Sequence, residues 1–215
     1  MYFDYNQKKD KKFYKVALPL IKAFSHFRYN ITYKGMENIP EKGGFIVAAN
    51  HISFSDPAVI IAAFPHTIHF MAKSELFENP ALSLAVRNLN AFPVRRGFSD
   101  RKALVYAIEV IQAGGVLGIF PEGRRVRSAV PESAKTGVAF IAKKTGADIL
   151  PVSLYVDPNE DVMRPKITVT FGKIIKNEEL CFDGDKGSSA VRKAADIIME
   201  RITDLWENEN ENKSS

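Results

Sequence analysis

Short apolar runs of β-type composition alternate along the middle of the chain with stretches whose apolar residues recur at helical spacing. The predicted strands are residues 44–49, 67–72, 116–120, 149–155 and 166–171. The predicted helices are residues 57–64, 79–88, 99–113, 135–145 and 188–207. Strands that alternate with helices of this length predict an α/β sheet with at least partly parallel order. Because ligands of such sheets bind in the strand-to-helix turns, we expect the functional residues in those turns.

The N-terminal segment has a different pattern, in which residues 13–27 follow the period of an amphipathic helix. Its apolar side is formed by Phe13, Val16, Ala17, Leu20, Ile21, Phe24 and Phe27. Its polar side is formed by Lys11, Lys15, Lys22 and His26. Pro19 interrupts the pattern and predicts either one kinked helix or two short ones. Lysine opposite phenylalanine and leucine is typical of a helix that lies in a membrane interface. The alternative is that the apolar side packs on the protein's own core.

The length and composition are those of one globular domain, with 215 residues of which 46% are hydrophobic and 26% are charged. The longest uninterrupted apolar run, residues 57–64, is far shorter than the roughly 18 residues that a spanning helix needs, so we predict no spanning segment. Cys181 is the single cysteine, which excludes an internal disulfide. Together with the lack of a signal-peptide pattern, this favours a reducing cytoplasm.

The net charge of +5 is concentrated at one end of the chain. Residues 1–30 contain seven lysines and arginines and two aspartates, which gives +5, so the other 185 residues sum to zero. A basic excess at one end favours an anionic partner, either nucleic acid or phospholipid headgroups. Because the aromatic residues share the apolar side of the helix, we expect a membrane phospholipid surface and no nucleic acid.

These patterns divide the chain into three parts. Residues 1–30 are predicted to form a basic, amphipathic membrane-surface segment, and residues 31–206 a single folded domain. Residues 207–215 read ENENENKSS, a polar run without an apolar anchor, and are predicted to be disordered.

The first strand-to-helix turn carries a histidine and an aspartate. The predicted strand 44–49 ends at Asn50 and His51, and Asp56 stands directly before Pro57, which opens a helix. His51 can serve as a general base near neutral pH, and Asp56 can reach back to fix its tautomer and stabilise its charged form. Two alternatives stay open, since an aspartate before a proline is also a good helix N-cap, and a histidine at a strand end can be merely hydrogen-bonded.

Other catalytic chemistries lack their motifs. No G-x-S-x-G elbow is present, and Cys181 has no adjacent base, so a covalent enzyme intermediate is disfavoured. His66 and His69 have no cysteine or carboxylate beside them, so we expect no metal site. Residues 118–124 have the spacing of a P-loop but lack its lysine and its serine or threonine, which excludes nucleotide hydrolysis.

Two further turns, residues 92–97 and 120–125, each place paired arginines beside a glycine. From residue 87 to residue 127 there are eight lysines and arginines against three acidic residues, a local charge of +5. Guanidinium groups bind phosphate in a fork, and glycine lets backbone N–H groups approach, so these turns predict a phosphate-binding site. The alternative is a solvated surface patch whose arginines pair with acids.

With all three turns considered, the sequence resembles the glycerolipid acyltransferase family, specifically the bacterial 1-acyl-glycerol-3-phosphate acyltransferases of the PlsC type. Asn50 to Asp56 fits the NH-x4-D signature, and residues 92–97 fit the phosphate-binding arginine block. Residues 120–123 with Arg125 fit the FPEGTR block, and residues 149–152 fit the last block. Two shorter elements also match, at residues 73–76 and 135–137, and the resemblance spans roughly residues 35–171. The sequence departs from the family pattern at Arg124, where threonine is usual, and at Asn90, where glycine is common.

The resemblance implies a fold and a reaction. The fold would be a single α/β domain with a mostly parallel, mixed sheet flanked by helices. His51 would deprotonate the free hydroxyl of lysophosphatidic acid, oriented by Asp56, for direct attack on the thioester of acyl-CoA or acyl carrier protein. The product would be phosphatidic acid, with neither cofactor nor metal needed. The enzyme would be peripheral on the cytoplasmic face of the cell membrane.

The resemblance also assigns binding residues. Arg96 would bind the glycerol phosphate together with Lys73 and Arg95. Glu122 and Gly123 would shape the acceptor site, and Arg125 belongs to the same block. The rival hypotheses are a relative that acylates another lysolipid or an amino lipid, and a non-catalytic membrane-binding scaffold whose histidine and aspartate are structural.

Overall fold

A seven-stranded sheet with helices on both faces organises the molecule, in a computed structural model that describes residues 11–95, 100–126, 130–157, 163–182 and 188–214. The strands are β1 (Asn30–Lys34), β2 (Ile46–Ala49), β3 (Ile68–Lys73), β4 (Phe92–Val94), β5 (Val116–Ile119), β6 (Ile149–Val156) and β7 (Lys166–Phe171). The helices are α1 (Lys11–Arg28), α2 (Asp56–Ala63), α3 (Pro80–Asn88), α4 (Arg101–Gln112), α5 (Gly137–Thr145) and α6 (Ser188–Ser214). Short 3-10 turns lie at Met36–Asn38, Ser74–Phe77 and Asn177–Leu180.

The strand order is β1-β7-β6-β2-β5-β3-β4. Strands β6, β2, β5, β3 and β4 are parallel to one another, β7 runs antiparallel to β6, and β1 runs parallel to β7. The predicted α/β fold with a mostly parallel, mixed sheet is therefore confirmed. The carboxyl ends of the five parallel strands lie along one side of the sheet, called here its carboxyl edge, so the turns that follow these strands lie close together.

The central strands are apolar because helices cover both of their faces. Every residue of β2 and β5 is buried, and Ile46, Val47, Ala48 and Leu117 are 0% exposed. The bounds of all predicted strands, and of all predicted helices except the last, agree with the structure to within two residues.

Two strands were not predicted. In β1, intermediate residues alternate with exposed ones and none is fully buried, because the strand lies at an edge of the sheet and pairs with β7 alone. In β4, three residues at the opposite edge pair with Met71 to Lys73 of β3. Pro93 is tolerated there because an edge strand needs hydrogen-bond donors on one side only.

The prediction of a disordered tail is wrong for residues 207–214, since α6 continues to Ser214. The reason is a set of contacts with distant strands. Glu209, which is 5% exposed, accepts hydrogen bonds from Lys34 of β1 at 2.8 and 2.9 Å. The rings of Trp206 and Tyr155 lie 5.5 Å apart, and the Tyr155 hydroxyl donates to Asn210 at 3.3 Å.

Helix α1 is continuous from Lys11 to Arg28, with Pro19 inside it. Tyr14 and Ser25 are buried against the domain, whereas Leu20, Phe24 and Phe27 are 70%, 55% and 84% exposed. The apolar side predicted from the sequence is therefore only partly covered by the core. Across the described ranges, no helix has both the length and the apolar character that crossing a membrane would require.

Candidate active site

The site begins at the end of the central strand β2, where Asn50 prolongs the pairing with β6 through its side chain. The Asn50 amide donates to the Leu154 carbonyl at 2.9 Å and accepts from the Leu154 N–H at 2.7 Å. Asn50 is completely buried, so both of its polar atoms need partners of this kind. The asparagine thereby fixes the direction in which the chain leaves the sheet, and the next residue is His51.

His51 and Asp56 form a buried hydrogen-bonded pair. His51 Nδ1 lies 2.7 Å from Asp56 Oδ2, and their side chains are 10% and 1% exposed. The same oxygen accepts the backbone N–H groups of Ile52 and Ser53, each at 2.7 Å. Because an ionised carboxylate only accepts hydrogen bonds, the Nδ1 atom is the donor, which leaves Nε2 as the proton acceptor.

These bonds show that Asp56 is not the N-cap of α2, which was one alternative to a catalytic role. An N-cap side chain accepts N–H groups of the helix that follows it, whereas Asp56 accepts from two residues that precede it. Ser55 holds the N-cap position, and Asp56 is the first residue of α2. The start of a helix carries a partial positive charge, which attracts the carboxylate placed there.

Two aromatic rings fix the plane of the imidazole. The Phe120 ring stacks on His51 with centroids 4.0 Å apart and planes 17° apart. Phe70 of β3 stacks on the other side of Phe120, at 5.5 Å and 16°. Gly118 makes room for this stack, because a Cβ at that position would lie 2.5 Å from the Phe70 ring. The imidazole is thus held between a carboxylate and an apolar wall.

Glu122 joins the turn after β5 to the turn after β2. Its side chain accepts the backbone N–H of His51 at 2.8 Å and that of Glu132 at 3.0 Å. Burial raises the pKa of Glu122, and the two N–H donors oppose that rise only in part. The His51 carbonyl accepts from the Val126 N–H at 2.7 Å. The loop after β5 therefore holds the His51 backbone on both of its polar atoms, an arrangement that sequence reasoning missed.

The predicted cationic residues stand at the same edge of the sheet. Lys73 ends β3 opposite Val94, the last residue of β4, and Arg95 directly follows Val94. Lys73 pairs with Glu75 at 2.7 Å, and the hydrogen bond from Lys73 is the main reason that the pKa of Glu75 falls to about 2. Arg95 Nε lies 3.8 Å from Asp100. Arg96 lies outside the described residues.

The turn after β5 adds further cations. Arg125 is exposed, and Arg124 pairs with Glu132. Gly123 has a φ of 69°, and a Cβ there would lie within 2.9 Å of the Lys135 side chain. The backbone angle therefore favours glycine, and the lack of a side chain lets Lys135 approach closely. Lys135 is a cation that was not among the predicted site residues.

One departure from the family pattern has a simple structural reason. Asn90 has a φ of 55°, a left-handed conformation that asparagine adopts more readily than other residues with a Cβ. It replaces glycine at a position where the backbone needs that conformation. Among the described residues, no group of three or more His, Cys, Asp or Glu could hold a metal ion, and Cys181 is exposed and free.

The fold and the site together define an α/β protein in which a buried carboxylate orients a histidine at the carboxyl end of a central strand. Cationic residues follow the neighbouring strands at the same edge. An arrangement of this kind can remove a proton from a hydroxyl group of an anionic substrate.

Comparisons with known proteins make the class specific. A family model described as Acyltransferase matches residues 30–155. The 1-acyl-sn-glycerol-3-phosphate acyltransferase of Bacillus subtilis is 30% identical over 141 residues, 65% of this chain and 70% of that protein. The Streptococcus pneumoniae protein of the same name is 30% identical over 189 residues, 84% of this chain and 70% of that protein. This chain belongs to the acyltransferase family.

A solved structure agrees with the family assignment. The crystal structure of the 1-acyl-sn-glycerophosphate (LPA) acyltransferase PlsC from Thermotoga maritima superimposes with a TM-score of 0.71 at 27% sequence identity. The match covers 96% of this chain and 85% of that chain.

Proposed function

We propose that this enzyme transfers a fatty acyl group from acyl-CoA or acyl carrier protein to the free hydroxyl of lysophosphatidic acid, which yields phosphatidic acid. The observation that carries the proposal is the buried His51–Asp56 pair with a 2.7 Å hydrogen bond at the carboxyl edge of the sheet. The relatives are named 1-acyl-sn-glycerol-3-phosphate acyltransferases, which supports the same substrate.

The reaction is a direct transfer. His51 Nε2 takes the proton of the acceptor hydroxyl as its oxygen forms a bond to the thioester carbonyl carbon. The resulting tetrahedral intermediate collapses with cleavage of the carbon–sulfur bond, and the thiolate leaves with the proton that His51 had taken. Asp56 stabilises the imidazolium between these steps, so no covalent enzyme intermediate is needed.

The cationic residues bind the phosphate of the acceptor. Arg96 is the main ligand, and Lys73, Arg95 and Arg125 add positive charge for the same phosphate. The pairs of Lys73 with Glu75 and of Arg95 with Asp100 involve exposed cations, with Lys73 47% and Arg95 73% exposed in their side chains. An exposed pair such as that of Lys73 with Glu75 contributes little to stability, so a doubly charged phosphate can replace its carboxylate at low cost. Glu122 and Gly123 shape the same acceptor site.

The enzyme binds the cytoplasmic face of the cell membrane through α1, which gives it access to a substrate that resides in the bilayer. The exposed side chains of Leu20, Phe24 and Phe27 are the apolar contacts of this peripheral attachment. Lys22 and Arg28, which are also exposed, favour anionic headgroups.

The test uses the purified full-length chain with labelled acyl-CoA or acyl carrier protein and a panel of lysolipid and amino-lipid acceptors. We expect phosphatidic acid from lysophosphatidic acid, and a loss of about 10³-fold in turnover for His51→Ala. His66→Ala is the matched control, because His66 bonds the Pro40 carbonyl at 2.7 Å and has no place in the proposed reaction.

Each rival has its own outcome in this assay. Turnover on another lysolipid or an amino lipid, but not on lysophosphatidic acid, would replace the proposed acceptor. Full turnover by a folded His51→Ala variant would remove the catalytic role of the histidine. Vesicle binding without turnover on any acceptor would identify a non-catalytic scaffold.

A further inference from the structure

Three tyrosines of α1, β1 and the link between them contact α2, the helix that begins with Asp56, or the residues on either side of it. The Tyr14 hydroxyl donates to the His66 carbonyl beyond the end of this helix, at 3.4 Å. The Tyr33 hydroxyl donates to the Val59 carbonyl within the helix, at 3.0 Å. The Tyr29 hydroxyl contacts the two serines that precede the helix. Of these three tyrosines, Tyr29 is the one that contacts the turn between His51 and Asp56.

The hydroxyl groups of this turn form a small cluster. Tyr29 is 7% exposed, and its oxygen lies 2.5 Å from Ser55 Oγ and 3.3 Å from Ser53 Oγ. The two serine oxygens lie 2.9 Å apart. Ser53 also donates its backbone N–H to Asp56 Oδ2 at 2.7 Å. The phenol is therefore linked through side chains to the residue whose backbone holds the carboxylate of the His51–Asp56 pair.

Ser55 contacts Tyr29 in place of the capping hydrogen bond that a serine at its position commonly makes. A serine at the N-cap position commonly accepts an N–H of the first turn of the helix. Ser55 holds that position before α2, yet its side chain makes no capping hydrogen bond. Its hydroxyl is directed to Tyr29 and Ser53 instead. The cluster thus orders the turn rather than the helix that follows.

We propose that Tyr29 is a positioning residue for the acyl transfer assigned above, an inference that rests on the proposed function. Its hydroxyl holds Ser53 and Ser55 in the conformation that presents the Ser53 N–H to Asp56. Asp56 in turn keeps the His51 ring aligned, with Nε2 toward the substrate. Tyr29 itself needs no contact with either substrate.

The first test compares Tyr29→Phe with Tyr33→Phe in the full-length enzyme. Each substitution removes one tyrosine hydroxyl and its contact with α2 or with the turn before it. The Tyr33 hydroxyl, however, bonds the Val59 carbonyl within α2, away from the turn between His51 and Asp56. We expect kcat to fall about tenfold in Tyr29→Phe with an unchanged KM for lysophosphatidic acid, because small displacements of a catalytic group are costly. We expect less than a twofold change in kcat for Tyr33→Phe. Equal kcat values for the two variants would overturn the proposal.

A double-mutant cycle with Ser55→Ala tests the route of the effect. If Tyr29 acts through the serine cluster, Tyr29→Phe should cost much less in the Ser55→Ala background than in the wild-type enzyme. Independent, multiplicative losses in kcat would show that the phenol does not act through this turn.

A spectroscopic readout separates this proposal from the proposed function, because it needs no substrate. The Nδ1 proton of His51, which is donated to Asp56, should give a low-field NMR resonance that is absent in His51→Ala. We expect this resonance to exchange faster with solvent in Tyr29→Phe and to be unchanged in Tyr33→Phe. If the resonance behaves in this way but the wild-type enzyme does not acylate lysophosphatidic acid, the proposed function is wrong and the positioning role of Tyr29 stands. Normal turnover with an unaltered resonance in Tyr29→Phe would sink the positioning role alone.

Discussion

The turn that carries His51 and the surfaces proposed to bind substrate and membrane are built in opposite ways. Asp56 Oδ2 accepts three hydrogen bonds in a buried site, and Glu122 fixes the His51 backbone from the turn after β5, which is distant in sequence. By contrast, Arg95 is 73% exposed in its side chain and Phe27 of α1 is 84% exposed. The two kinds of region lie in one domain.

The difference reflects what each task requires. A general base must be aligned before the substrate arrives, so its orientation is fixed by folding. Groups that bind a headgroup or a bilayer must stay accessible, and their exposed ion pairs can change partner at little cost. Substitutions in the buried turn should therefore change kcat, whereas substitutions on the exposed surfaces should change binding.

The largest effect that we expect on the exposed side is on vesicle binding. Replacing Leu20, Phe24 and Phe27 together by serine should weaken binding to phosphatidylglycerol vesicles about 100-fold, since each side chain contributes about 1 kcal/mol by partial burial in the bilayer. Vesicle sedimentation measures this partition, and thermal unfolding should be nearly unchanged because all three side chains are exposed.

A second set of exposed apolar residues provides the matched control for that experiment. Met36, Val105 and Phe140 are 46%, 46% and 36% exposed and lie on three other elements. Their replacement by serine should leave vesicle binding unchanged. If both triple variants lose binding equally, general surface apolarity is responsible, and α1 is not the membrane-binding helix.

On the buried side, Glu122→Gln should lower kcat about tenfold with little change in KM. Glutamine can accept only one of the N–H groups of His51 and Glu132, and leaving a buried donor unpaired costs about 1–3 kcal/mol. Steady-state kinetics separates the two parameters. Glu132→Gln is the control. It removes a carboxylate from the same loop, but the Glu132 side chain is 41% exposed. A change confined to KM would assign Glu122 to substrate binding alone.

Stability against pH gives the same variant a second readout. Burial raises the pKa of Glu122, and the charges of Glu132 and Asp56 act in the same direction. An acid with a raised pKa in the folded state stabilises the fold while protonated and loses that contribution as pH rises through the raised value. The free energy of unfolding of the wild-type enzyme, relative to Glu122→Gln, should therefore decrease as pH rises above the ordinary glutamate range. A constant difference would contradict the raised pKa.

The parts of the site that could be predicted from the sequence are those formed by neighbouring residues. His51 and Asp56 are five positions apart across one turn, so their pairing follows from a strand end and a helix start. The hydrogen bond from the His51 N–H to Glu122 joins residues 71 positions apart, and no local pattern indicates it. The family resemblance at residues 120–123 indicated Glu122 as a site residue. The bond of Glu122 to the His51 backbone, however, depends on β2 and β5 being adjacent.

The same distinction accounts for the errors in the fold. Residues 207–214 have a composition typical of disorder, and their helix is stabilised by Lys34 and Tyr155, which belong to strands far away in the sequence. Strand β1 shows weak apolar alternation because it is an edge strand. Tertiary contacts override local propensity in both cases.

The smallest effect that we expect is at Lys73, where substitutions of Lys73 and of its partner Glu75 should change the KM in opposite directions. Lys73→Ala should raise the KM for lysophosphatidic acid several-fold and leave kcat unchanged, because an exposed cation contributes at most about 1 kcal/mol to binding a phosphate. Glu75→Gln should lower the same KM, since Glu75, whose pKa falls to about 2, is ionised in the assay and competes with the phosphate for Lys73. Lys42→Ala, which removes an equal charge before the amino end of β2, should change neither parameter. If Lys73→Ala lowers kcat instead, Lys73 belongs with the aligned catalytic groups, and the division between a rigid base and exposed binding residues does not hold at β3.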